Sequence, residues 1–191
     1  MRPFVRLAET VHIVALALWL SALITGALVA VTIFTTMREL APTFGFFHAY
    51  TGAHADLGAG FIQARVFALA DITQFAACSL AMLSFIAAVA IGRAVARAST
   101  MVRATLLACA LTMFSYQYFI LAPRMDTNAR AYWKAARAGD SEQARLLHAK
   151  FMEDHPASTR THGFILLFVS GTLVASTWTL SGGRPCPEEA R

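Results

Sequence analysis

The sequence predicts an all-α fold: an integral membrane four-helix bundle with a helical hairpin in the loop before the last span. Three observations predict it. Four long apolar runs lie at about residues 11–34, 66–92, 104–122 and 163–181, close to or beyond the ~20 residues that cross a bilayer core. Hydrophobic residues make up 57% of the 191-residue chain and charged residues 14%. The mean hydropathy is +0.55. Residues 1–183 form one four-span domain, with the extramembrane hairpin at about 127–153 and a polar tail at 184–191. The lipid bilayer is thus the first partner implied.

The first run, from Val11 to Phe34, is longer than the ~7–15 residues of a signal h-region, so it reads as a retained helix. Loop 1, about Thr35 to Arg65, holds Pro42, Gly45, Gly52, Gly58 and Gly60. Its Phe44, Phe46, Phe47 and Tyr50 suit an interface or the side of the bundle. The second run carries one acid, Asp71. Loop 2 is short and holds Arg93, Arg97 and Arg103 without an acid. The third run ends at Pro123. Beyond it, Asn128–Gly139 is rich in the helix formers Ala, Arg and Lys. Gly139-Asp140 breaks that helix, and Asp140 with Gln143 fits a capping box for a second helix to about Glu153. Asp154 or His155 then caps the last span, with Pro156 in its first turn. The two hairpin helices are expected to lie beside the membrane.

The net charge of +5 and pI near 9.6 reflect arginines flanking the spans and facing headgroups, not a nucleic-acid surface. Arg2, Arg6 and the loop 2 arginines direct the N-terminus to the cytoplasm of a bacterial-type inner membrane, although the cations of the third loop oppose that rule. Cys78 and Cys109 fall in spans and Cys186 in the tail, so neither a disulfide framework nor a zinc site is expected. Walker, His-Glu-x-x-His, Gly-x-Ser-x-Gly and Gly-x-Gly-x-x-Gly signatures are absent.

Polar groups at membrane depth are costly and are therefore functional candidates. Asp71 reads either as a proton or cation site or as an acid neutralised by a neighbour such as Arg65. These two are six positions apart and on different faces of a straight helix. His12 shares a face with Leu16, Trp19, Leu23, Gly26 and Ala30. It reads as an axial haem ligand or as a histidine bonded to a carbonyl. Gly26-x-x-x-Ala30 permits close approach of another helix, within the bundle, from a second copy or from a membrane partner. His148, His155 and His162 are spaced by sevens, and His155 and His162 flank Ser158 at the start of the last span. With His48 and His54 in loop 1, which shares a membrane face with loop 3, His155 and His162 make a candidate copper-like metal site. A core ~30 Å thick argues against one haem joining His12 to this cluster.

Val11-His12 followed by Ala17-Leu18-Trp19-Leu20 resembles the opening helix of the domain of unknown function 4149 family, which includes transmembrane protein 205-like proteins. The likeness continues through Phe34, Pro42–Phe47, Phe61 and Phe67, returns at Tyr118 to Pro123-Arg124, and again at Phe151, His155 and Ser158. It spans about residues 10–180 and implies a four-helix membrane fold without an established activity. A looser likeness joins copper-resistance D-type membrane proteins and haem-linked protoporphyrinogen oxidases. Ser21 stands there where glycine is usual, and His162 where asparagine is. Two functions follow as expectations: a non-enzymatic accessory or metal- or small-solute-handling protein, or a haem-binding redox protein.

Overall fold

The computed structural model describes residues 3–92 and 97–181. Arg2, Arg93, Cys186 and the tail at 184–191 lie outside them. The described chain is almost wholly helical: α1 (Pro3–Leu40), α2 (His54–Gly92), α3 (Ala98–Tyr116), α4 (Ala122–Arg137) and α5 (Ser141–Ser181). A five-residue π turn, Gln117–Leu121, joins α3 to α4, so Ala98–Arg137 runs as one helix. Four helices are long and apolar enough to cross a membrane, and the chain is an integral membrane protein of the expected class.

A 3.5-residue repeat of buried positions builds the bundle. On α1 they are Glu9, His12, Leu16, Trp19, Leu23 and Gly26. On α2 they include Gln74, Cys78, Ala81, Phe85 and Ala88. On α3 and the π turn they are Thr100, Arg103, Leu107, Ala110, Phe114, Gln117 and Leu121. On α5 they are Thr161, Ile165, Val169, Thr172 and Ser176. The opposite faces carry exposed Leu18, Leu28, Val31, Leu69, Ile72, Leu83, Leu167 and Val174, an apolar surface that suits lipid and not water. Around the bundle the order is α1, α2, α3, α5. The α1–α2 pair packs most closely and the α2–α3 pair least.

Three boundaries differ from the sequence reading. Loop 1 is shorter, because α1 runs on to Leu40 and α2 starts at His54; only residues 41–53 leave the helices, with one 3₁₀ turn at Gly45–Phe47. The helix at the third span does not stop at Pro123. Proline has no N–H and crowds the carbonyl four residues before it. The π turn, in which Ala122 N–H bonds Gln117 O, widens the backbone and carries the helix past it. Nor does a cap separate the hairpin from the last span: α5 is continuous with Pro156 inside it. Asp154, read as a cap, instead pairs with Arg124 through Nε at 2.7 Å and through Nη2. The hairpin is therefore made of the outer ends of two long helices, not of separate helices.

The hairpin turn matches expectation. Asp140 Oδ1 accepts the Gln143 N–H at 3.0 Å, and Gly139 has φ +78°. Outside the apolar runs, Phe47, Leu57, Tyr132, Ala136 and Ala144 form a second small core. Replacing Gly139 by Ala forces a positive φ on an L-residue and brings its Cβ to 2.8 Å from the Ala49 Cβ. We expect Gly139→Ala to cost about 1–3 kcal/mol, read as a lower midpoint in chemical unfolding of the detergent-solubilised protein.

Candidate functional site

Polar side chains inside the bundle fall into two groups. The first is at the end of the bundle nearest the N-terminus, called the inner end. Glu9 and His12 sit one turn apart on α1, and Arg103 enters from α3. Arg103 Nη1 and Nη2 donate to Glu9 Oε1 and Oε2 at 3.0 and 2.6 Å. The pair is nearly closed to solvent, with side chains 4% and 11% exposed. The Arg103 Cζ lies 5.0 Å from the centre of the Phe85 ring, and the His12 ring packs on the same phenyl at 5.3 Å. His12 Nδ1 lies 2.8 Å from Ala81 O. A carbonyl only accepts, so this nitrogen carries the hydrogen, and on the neutral ring Nε2 is a bare lone pair. His12 thus takes the carbonyl-bonded role weighed from the sequence, fully buried.

The second group crosses the middle and outer part of the bundle. Trp19 Nε1 donates to Gln74 Oε1 at 3.3 Å, and Gln74 Nε2 donates to Asp71 Oδ1 at 3.4 Å. Indole N–H only donates, so the Gln74 amide has one orientation and presents its NH₂ to the carboxylate. His162 of α5 is an electrostatic neighbour of Asp71, and its ring packs on Phe67 at 5.9 Å. His162 Nδ1 bonds Ser158 O at 3.0 Å, and Ser158 Oγ accepts Gln117 Nε2 from the π turn at 3.1 Å. About two turns from Asp71 toward the start of α2, Gln63 Nε2 donates to Gly26 O at 3.3 Å. That carbonyl again fixes the amide, leaving Gln63 Oε1 without a donor. Gln117 Oε1 is likewise buried and unpartnered.

Of the residues singled out from the sequence, Trp19 and Asp71 share a hydrogen-bonded chain through Gln74 between α1 and α2, and Ser158 and His162 share another on α5 with Gln117 of the π turn. The others join neither. Arg65 is exposed and stacks on Phe61 at 5.8 Å; among the described residues no ion pair links it to Asp71. His54 spends both ring nitrogens on the loop: Nδ1 accepts Phe44 N–H at 3.1 Å and Nε2 donates to Tyr50 O at 2.9 Å. His48 is exposed and bonds Gly45 O. His155 is exposed on α5 beside Phe151. The expected gathering of His48, His54, His155 and His162 is not formed, and among the described residues no three His, Cys, Asp or Glu side chains come together as metal ligands. Gly26, read as a helix-contact residue, fills that role within the chain, with a Cβ position 3.4 Å from Phe67. Outside the apolar runs, Tyr50 and Tyr132 share a hydroxyl–hydroxyl bond of 3.1 Å, and burial together with that bond pushes the Tyr132 phenol well above its ordinary pKa.

Sequence reasoning missed Glu9, Gln63, Gln74, Gln117 and Arg103. The signal was present. Gln74 and Gln117 lie inside the apolar runs as Asp71 does, and Glu9 is three residues before His12. Arg103 was read as a loop charge, yet it keeps the 3–4 spacing of Leu107, Ala110 and Phe114. Removing one partner of a buried ion pair leaves the other charge uncompensated. We expect Arg103→Met to lose about 3–5 kcal/mol and Glu9→Leu/Arg103→Met together to regain most of it, measured by unfolding in detergent.

Comparison of the chain with protein-family models, with curated proteins and with solved structures gives no match.

Proposed function

We propose that this is a non-enzymatic four-span membrane protein that handles protons or a small cation inside its bundle, at the layer formed by Asp71, His162, Ser158 and Gln117. The observation that carries the reading is a surplus of acceptors. Gln63 Oε1 and Gln117 Oε1 are buried acceptors without a donor, and the Asp71 carboxylate adds its oxygens. Arg103 Nε–H is the one unpartnered donor among those buried atoms. An interior rich in bare oxygens and lone pairs suits a guest that brings hydrogen or positive charge, and repels anions. Intramembrane carboxylate–histidine chains are the usual means of passing protons through lipid. The arginines near the N-terminus and in loop 2 support a cytoplasmic N-terminus in a bacterial-type inner membrane.

The metal site proposed at His48, His54, His155 and His162 has less support, since His54 has no free nitrogen. The haem alternative rests on His12, whose anchored Nδ1 and bare Nε2 are the arrangement an axial ligand needs. Against it, the ring has no exposed surface and packs on Phe85 beside the Glu9–Arg103 pair.

In vesicles carrying an entrapped pH-sensitive dye, the purified protein is expected to collapse an imposed pH or cation gradient faster than protein-free vesicles do. Asp71→Asn, which keeps shape and removes charge, should slow this at least tenfold, and Arg65→Ala should leave it unchanged. Protein vesicles no leakier than empty ones, or an unaltered Asp71→Asn rate, would overturn the reading. A Soret band in the purified protein that is lost in His12→Ala would move the assignment to haem.

A further inference from the structure

The inner cluster contains two unmet needs that complement each other. His12 Nε2 is a bare acceptor on a residue with no exposed surface, and Arg103 Nε–H is a bare donor on a residue 3% exposed. The other nitrogens of both are committed: His12 Nδ1 to Ala81 O, and both Arg103 Nη atoms to Glu9. Both side chains lie against one ring, that of Phe85, at 5.3 and 5.0 Å from its centre. They do not bond each other. Neither lipid nor the apolar neighbours Ala15, Leu16 and Phe85 can supply what they lack.

One kind of group answers both. A hydroxyl oxygen accepts from Arg103 Nε–H while its hydrogen is donated to His12 Nε2. A carboxylate or other anion accepts from Arg103 but gives His12 nothing, and it meets the Glu9 carboxylate. A metal ion takes the His12 lone pair, leaves the Arg103 N–H bare and sits beside a guanidinium. We propose that His12 and Arg103, backed by Glu9 and Phe85, form a binding site for one hydroxyl group at the inner end of the bundle. Its source is a water molecule or the head of a small lipid-soluble alcohol or phenol. The site does not depend on ion traffic at Asp71, so either proposal can fail alone.

The test is an experimental structure of the full chain in nanodiscs, at a resolution that shows ordered water, together with native mass spectrometry of the same sample. The expected result is a density feature within hydrogen-bond reach of both His12 Nε2 and Arg103 Nε. No added mass identifies it as water, and a bound organic species identifies an alcohol or phenol. His12→Phe, which keeps an aromatic ring and removes the lone pair, should lose the feature. For a variant-free measurement, radiolytic hydroxyl labelling of the wild type should mark Phe85, 8% exposed, if the guest is water. The proposal is overturned if Arg103 Nε bonds His12 Nε2 directly, if no feature is present with both atoms unpaired, or if a metal or haem iron sits on His12.

Discussion

The Glu9–Arg103 ion pair fixes more of this bundle than any other contact. It runs along the diagonal from α1 to α3, two helices with little direct backbone proximity. Helix packing in lipid gains little from the hydrophobic effect, because tails are as apolar as leucine. Register between helices then depends on close packing and on polar links. The closely packed α1–α2 pair has small residues such as Gly26 and Ala81 to set it. The α2–α3 pair packs least, and what spans it is long: the Phe75–Tyr118 stack at 5.5 Å and Arg103 over Phe85. A bidentate pair that neither partner can leave without a buried charge holds α3 at one height against α1. Fixing that height brings Phe114 against Trp19 at 5.7 Å and sets the π turn level with the Asp71 layer.

The polar chains obey the same constraint. Every buried glutamine spends its NH₂ on the protein: Gln63 on Gly26 O, Gln74 on Asp71, Gln117 on Ser158. Donors are thereby consumed and acceptors left over. Thr161, Thr172 and Ser176 on α5 return their hydroxyl hydrogens to carbonyls four residues back, which lowers the supply of donors further. The acceptor character of the interior is thus a property of how its amides and hydroxyls are anchored, not of one residue.

The class and the four helices were legible because they need only composition and run length. Asp71, Trp19, His162 and Ser158 were legible as polar or amphipathic groups at unusual positions. Their connections were not, because they pass through Gln74 and Gln117, and glutamine in an apolar run draws less notice than a charge. Arg103 was hidden by the positive-inside rule, which treats a cation near a span end as solvent-facing. Only its match to the 3–4 spacing of α3 marked it as inward. The loop histidines failed for the opposite reason. His48 and His54 suggested chemistry by type, but a short loop that must bond its own backbone had already taken both nitrogens of His54.

Pro123 links the membrane layer to the outer core. Up to Leu121 the buried positions advance by three or four residues, as 114, 117 and 121; the next buried ones are Ala129, Tyr132 and Ala136. Leu121 and Tyr132 are eleven residues apart, about three turns of the α-helix that resumes after the π turn, so both stay on the side that faces the protein. Gln117, in the π turn, faces Ser158 inside the bundle, while Tyr132 and Ala136 meet Phe47, Leu57 and Ala144. A proline that removes one backbone hydrogen bond is thereby accommodated by a widened turn just before it, and a single helix serves both cores, with the polar layer at that turn.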